Sequence, residues 1–93
     1  MIKSFKSKEA EKIFNRTYSR KLPQSIQKII MRKLWIIDAA ILLNDLRIPP
    51  SNHLEALKGK RKNQYSIRIN DQWRICFQWI NRDAYDIEII DYH

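Results

Sequence analysis

Residues 65–90 read YSIRINDQWRICFQWINRDAYDIEII, and three runs of alternation within that stretch decide the fold. Tyr65, Ile67 and Ile69 alternate with Ser66 and Arg68. Trp73, Ile75, Phe77 and Trp79 alternate with Arg74, Cys76 and Gln78. Tyr85, Ile87 and Ile89 alternate with Asp86, Glu88 and Ile90. A period of two marks strands with one buried face, because successive side chains of an extended chain point to opposite sides. Asn70 and Asp71 supply the first turn and Asn81 to Asp83 the second, since Asn and Asp tolerate left-handed backbone and bond their own chain. The result is a meander of three strands running into Tyr92 and His93.

Upstream the period changes. Pro49 and Pro50 in NDLRIPPSN cannot continue a helix and push Ile48 toward an extended conformation. Before them, Pro23 suits the first turn of a helix carrying Ile26, Ile29, Ile30, Leu34, Ile37 and Ile41 on one stripe. Met31, Trp35, Ala39, Leu42 and Leu46 form a second stripe, so the later part of that helix is apolar over a wide arc. That face is either covered by the fold or available as a docking surface. Ser7 can cap an earlier helix over about Lys8 to Arg16, with Glu9 and Glu11 in its first turns. Ile2 to Phe5 is a possible further strand. Two N-terminal helices packed on a small, mostly antiparallel sheet of three to four strands make an α+β domain spanning residues 1–93.

The chain carries 18 Lys and Arg against 10 Asp and Glu, a net charge of +8 on 93 residues. That surplus favours a polyanionic partner such as nucleic acid. A domain this short buries only roughly 60–65% of its unfolded surface, which favours an open site over a deep pocket. Cys76 is the single cysteine and closes no internal disulfide; MIKSFKSKEAEK has no apolar run to serve as a signal peptide. A cytoplasmic protein is expected, with no membrane contact. The two histidines and Cys76 match no zinc spacing, and Gly59 as the only glycine allows no phosphate loop. No metal or cofactor is expected.

If the apolar sets face the helices, their opposites face solvent. Arg68, Arg74 and Tyr92 then converge on the open face, with Cys76 beside them as a small space-filler. Arg68 has an alternative partner in Glu88 across the sheet. LKGKRK places Lys58, Lys60, Arg61 and Lys62 around the glycine as a phosphate-contacting rim. RNA carries its own nucleophile, the 2′-OH. Cleavage needs only a base for that proton, cations for the charge on the phosphorane, and an acid for the leaving 5′-oxygen. Arg, Lys, Tyr and His can fill those roles, provided neighbouring cations lower a tyrosine from its ordinary pKa of about 10.

MIKSFK, LEALKGKR, SIRINDQWRICF and the terminal EIIDYH together resemble the HigB branch of the RelE/ParE toxin superfamily, toxins of type II toxin-antitoxin modules. The similarity covers essentially the whole chain and implies the RelE-like α+β fold. It implies a ribosome-dependent mRNA endonuclease that cuts the codon in the A site of the 70S ribosome and is silenced by a HigA-like helix-turn-helix antitoxin. The resulting complex is expected to bind its own operator DNA through the antitoxin. Lys58 matches the motif lysine at the scissile phosphate, Arg74 the arginine that steadies transition-state charge, and Tyr92 and His93 the terminal pair of proton transfer and positioning. Arg68 matches loosely as a further catalytic cation. His53, with Lys60, Arg61 and Lys62, is expected to contact RNA. The resemblance does not say which residue is the base and which the acid. Two other classes compete: a ParE-like gyrase inhibitor, which the terminal DYH and the Lys58 and Arg74 pair argue against, and a basic RNA-binding module without catalysis.

Overall fold

Each alternating run forms a strand. The computed structural model describes residues 1–59 and 63–91. The chain runs through α1 (Lys8–Phe14), α2 (Gln24–Ala39), two 3-10 turns (Leu43–Arg47 and Pro50–Asn52), β1 (Glu55–Ala56), β2 (Gln64–Arg68), β3 (Trp73–Ile80) and β4 (Asp83–Asp91). The strands make one antiparallel sheet in the order β1-β2-β3-β4. The turns use the chemistry their residues suggest. Asn70 Oδ1 accepts from the N–H groups of Gln72 and Trp73, both at 2.8 Å. Asn81 and Arg82 sit at φ 50° and 72°, the left-handed pair that matches a two-residue hairpin turn to the twist of its strands.

The core lies between the helices and one face of this sheet. α2 contributes Ile26, Ile30, Leu34 and Ile37, and α1 contributes Ala10 and Ile13, packed on Ile67, Ile75, Phe77 and Ile87. Ser7 caps α1 as expected, its Oγ accepting from Ala10 N–H at 3.2 Å. α1 ends at Phe14, short of Arg16, where φ turns to 66°.

Three expectations need correction. The apolar stripe outruns the second helix, which stops at Ala39 because Asp45 Oδ2 accepts the N–H groups of Ile41 and Leu42, at 3.0 and 2.9 Å. Ile41 and Leu42 therefore emerge at the surface while Leu46 turns back into the core. The fourth strand is β1, not the N-terminus; Ile2 and Phe5 make isolated parallel bridges to Ala84 and Ile87, covering the outer edge of β4. Finally, Tyr85 leaves the core face. Cys76 pairs with Glu88 but Gln78 with Tyr85, and Asp86, at φ 54°, absorbs the extra residue as a bulge. Ala84 fills the core position instead.

The bonds from Leu42 and Ile41 hold the Asp45 carboxyl below its ordinary pKa, because they favour the charged form. A carboxyl lowered on folding adds stability above its unfolded pKa and loses it as pH falls through the folded value. Asp45→Asn is expected to lower the melting temperature at neutral pH, with the gap closing in acid. A gap that persists unchanged in acid would refute this account.

Candidate active site

Arg74 is the centre of the sheet face turned away from the helices. Glu55, Ser66, Cys76 and Glu88 form one cross-strand row on that face, and Arg68, Arg74 and Ile90 the next. The expectation that these polar positions lie open to solvent is corrected by their burial. Ser66 is 0%, Cys76 1% and Arg74 8% exposed. A buried guanidinium is costly unless its donors are met, and here Ser66 of β2 and the segment leading into β1 meet them. Arg74 Nε donates to Ser66 Oγ at 2.9 Å, and Nη2 donates to the carbonyls of His53 at 2.6 Å and Ser66 at 3.4 Å. Nη1 lies 3.8 Å from Glu55 Oε1. Two corners of the guanidinium are thus bonded to the fold, and the third faces the exposed Glu55 carboxylate.

The segment that holds Arg74 is itself braced from α2. Asn52 is fully buried; its Nδ2 donates to the carbonyls of Leu46 at 3.1 Å and Ile48 at 3.4 Å. Its Oδ1 accepts from Lys33 Nζ of α2. Burial, and secondarily the positive charge of Arg68, push the Lys33 pKa down. The next residue, His53, is exposed at φ 44°. Its carbonyl holds Arg74, a task that no motif reveals because any residue offers a carbonyl. Lys33 and Asn52 are equally invisible in the sequence, being 19 positions apart with no motif around them.

Lys58 is exposed just beyond β1, followed by Gly59 at φ 76°, a left-handed conformation that favours glycine. Arg68 pairs with Asp71 three residues on, and not with Glu88, which lies 3.4 Å from Lys6. Lys60, Arg61, Lys62, Tyr92 and His93 lie outside the described residues. Gln72 Nε2 reaches Asp91, the residue before the terminal pair, at 3.0 Å. Glu55 and Ser66 are the site residues that sequence reading missed. Glu55 stands in LEALKG, where a two-residue strand is too short to show alternation. Among the described residues, no group of His, Cys, Asp and Glu could hold a metal ion.

Between α1 and α2, on the other side of the molecule, a shallow pocket of about 310 Å³ is lined by Ile13, Arg16, Tyr18, Lys28, Met31 and Trp35. The Arg16 guanidinium lies 4.9 Å from the centre of the half-buried Trp35 ring, a cation–π contact.

Two helices packed against one antiparallel sheet have a solved counterpart. The structure of YafQ from E. coli strain BL21(DE3) superposes with a TM-score of 0.60 over 98% of this chain and 91% of that one, at 13% identity, which shows a shared fold. Residues 3–93 match the family described as RelE-like toxin of type II toxin-antitoxin system HigB, and the chain belongs to that family. It is 44% identical to Toxin HigB-1 of Vibrio cholerae serotype O1 over 82 residues, covering 87% of this chain and 86% of that protein. It is 38% identical to Endoribonuclease HigB of Proteus vulgaris over 93 residues, the full length of both.

Proposed function

We propose that this HigB-family toxin directs its endoribonuclease activity at mRNA in the A site of the 70S ribosome. The observation that carries the reading is Arg74, anchored by Ser66 and His53 so that Nη1 is left toward the polar face. A guanidinium fixed in advance stabilises developing phosphorane charge without reorganising during the reaction. Lys58 contacts the scissile phosphate from the rim, Arg68 adds a second cation, and Tyr92 and His93 transfer protons and position the substrate. His53, Lys60, Arg61 and Lys62 guide the RNA backbone. The chemistry is metal-independent attack by the 2′-OH. The direct test is 5′-end mapping of mRNA in a translation reaction with and without ribosomes. Cuts inside codons that appear only with ribosomes are expected. Growth inhibition without any cuts would move the target to gyrase or ribosome assembly.

A type II toxin has an antitoxin partner, here a HigA-like helix-turn-helix protein that carries the complex to its operator DNA. The α1–α2 pocket is its docking surface, with Trp35 and Met31 as the apolar floor and Arg16 and Lys28 as a cationic rim suited to an acidic segment. A folded Trp35→Glu variant is expected to lose antitoxin binding; undiminished binding would eliminate this surface. No helix among the described residues is long and apolar enough to cross a membrane, and the proposed place of action is the cytoplasm, where ribosomes translate.

A further inference from the structure

We propose that Asn52, held in turn by Lys33 of α2, is a positioning residue that sets the direction in which Arg74 presents its guanidinium. The inference rests on the A-site nuclease reading and adds to it two residues that act through Arg74 and not on the RNA. A guanidinium is a rigid planar fork, so two fixed bonds to it determine where its third corner points. For Arg74 those bonds run from Nε to Ser66 Oγ at 2.9 Å and from Nη2 to the His53 carbonyl at 2.6 Å. Ser66 is held by the pairing of β2 with both β1 and β3. His53 belongs to no strand. It follows the short 3-10 turn Pro50–Asn52, and its left-handed backbone, at φ 44° and ψ 59°, directs its carbonyl to Arg74. That conformation is uncommon for a residue other than glycine and persists where the surroundings impose it.

Asn52 imposes it from the adjoining position. Its fully buried amide is engaged at both ends: Nδ2 donates to the Leu46 and Ile48 carbonyls at 3.1 and 3.4 Å, and Oδ1 accepts from Lys33 Nζ. An amide suits this place because one end meets carbonyls, which accept, and the other a lysine, which donates. Backbone bonds close the turn around it, from Asn52 N–H to the Pro49 carbonyl at 2.9 Å and from His53 N–H to the Pro50 carbonyl at 3.1 Å. The turn is thus pinned to the chain before it and to α2, and the pinned residue is bonded covalently to the one that holds Arg74. Since Asn52 is sealed from water, an oxygen deprived of Lys33 gains no solvent donor in exchange. Removing either side chain frees the His53 carbonyl to shift and leaves Arg74 anchored through Ser66 alone. A misplacement of about 1 Å in a group that must meet a reacting phosphate costs on the order of 10²-fold in rate.

The test is single-turnover cleavage of an mRNA on programmed 70S ribosomes by the full chain, well below the melting temperature of each variant. Asn52→Ala is expected to cleave roughly 10²-fold more slowly, and Lys33→Met, which removes one of the amide's three bonds, roughly 10-fold more slowly. In both, the protein concentration giving half the maximal rate should stay at the parent value. A residue that merely supported the fold would lower the melting temperature and leave the rate of the folded protein unchanged. The second readout is the double variant. In an Arg74→Ala background Asn52→Ala should slow cleavage no further, because nothing remains for it to position, whereas independent effects would multiply. Further slowing there, or parent-rate cleavage by a folded Asn52→Ala, overturns the proposal. Should Asn52→Ala fail to fold, Lys33→Met decides by the same two readouts. Arg74→Ala by itself separates the two levels: a slow Arg74→Ala beside a parent-rate Asn52→Ala sinks only the positioning, whereas a parent-rate Arg74→Ala sinks the nuclease site itself.

Discussion

Arg74→Ala is expected to cut mRNA roughly 10²–10³-fold more slowly than the parent, the usual cost of deleting one prearranged donor to a developing oxyanion. The loss should lie in the chemical step, since ribosome association is spread over many of the 18 Lys and Arg residues. The same substitution also acts on the fold. It strands the buried Ser66 hydroxyl and the His53 carbonyl that Arg74 now satisfies, at about 1–3 kcal/mol for such unsatisfied groups. Arg74→Lys separates the two effects. Lysine keeps the charge but has no planar fork to span Ser66, His53 and a phosphate together, so cleavage should remain low even where thermal melts show a folded protein. An Arg74→Ala protein that melts as a folded domain and cleaves at the parent rate would remove Arg74 from the mechanism.

The largest effect on stability is expected at Phe77. Its ring is 1% exposed, and lies 6.3 Å from Tyr65 and 6.4 Å from Trp79, edge-on to the latter. It packs where β3 meets the helices, in a core with few residues to spare. Phe77→Ala should cost ~3–5 kcal/mol through lost burial and the cavity left behind. Against the ~5 kcal/mol at the low end of domain stabilities, where so short a chain is expected to lie, that brings the protein close to its melting midpoint, and toxicity should fall through loss of folded protein. Urea unfolding monitored by tryptophan fluorescence measures it; a loss below ~1 kcal/mol would mean that the neighbouring aromatics collapse into the space.

Much of this architecture is legible in the sequence alone. Alternation in residues 65–80 places β2 and β3, Asn70 and Asn81 mark the turns, and Ser7 and Pro23 mark the helix starts. These features arise from bonding and burial patterns local to a few residues. The family motifs likewise point to Lys58 and Arg74 from residue identity and spacing. Sequence and structure part where distant segments of the chain decide the outcome. Asp86 twists into a bulge where the N-terminal segment bonds to it, through Ser4 Oγ at 2.9 Å from its N–H, and Tyr85 changes face although its spacing matches the core. Asp45 ends α2 through bonds that no helical period encodes.

By itself, then, the sequence determined an α+β chain with its helices first, a cationic surplus and the family motifs, because periodicity, turn residues and charge act over short range. Tertiary structure alone decided that Arg74 is buried rather than open, that a braced loop carbonyl holds it, and that Glu55 stands beside it. Those facts depend on which groups meet across β1, β2, β3 and the turn before β1. A guanidinium's environment is set by neighbours far away in the chain, and strand parity records only the side of the sheet on which it begins.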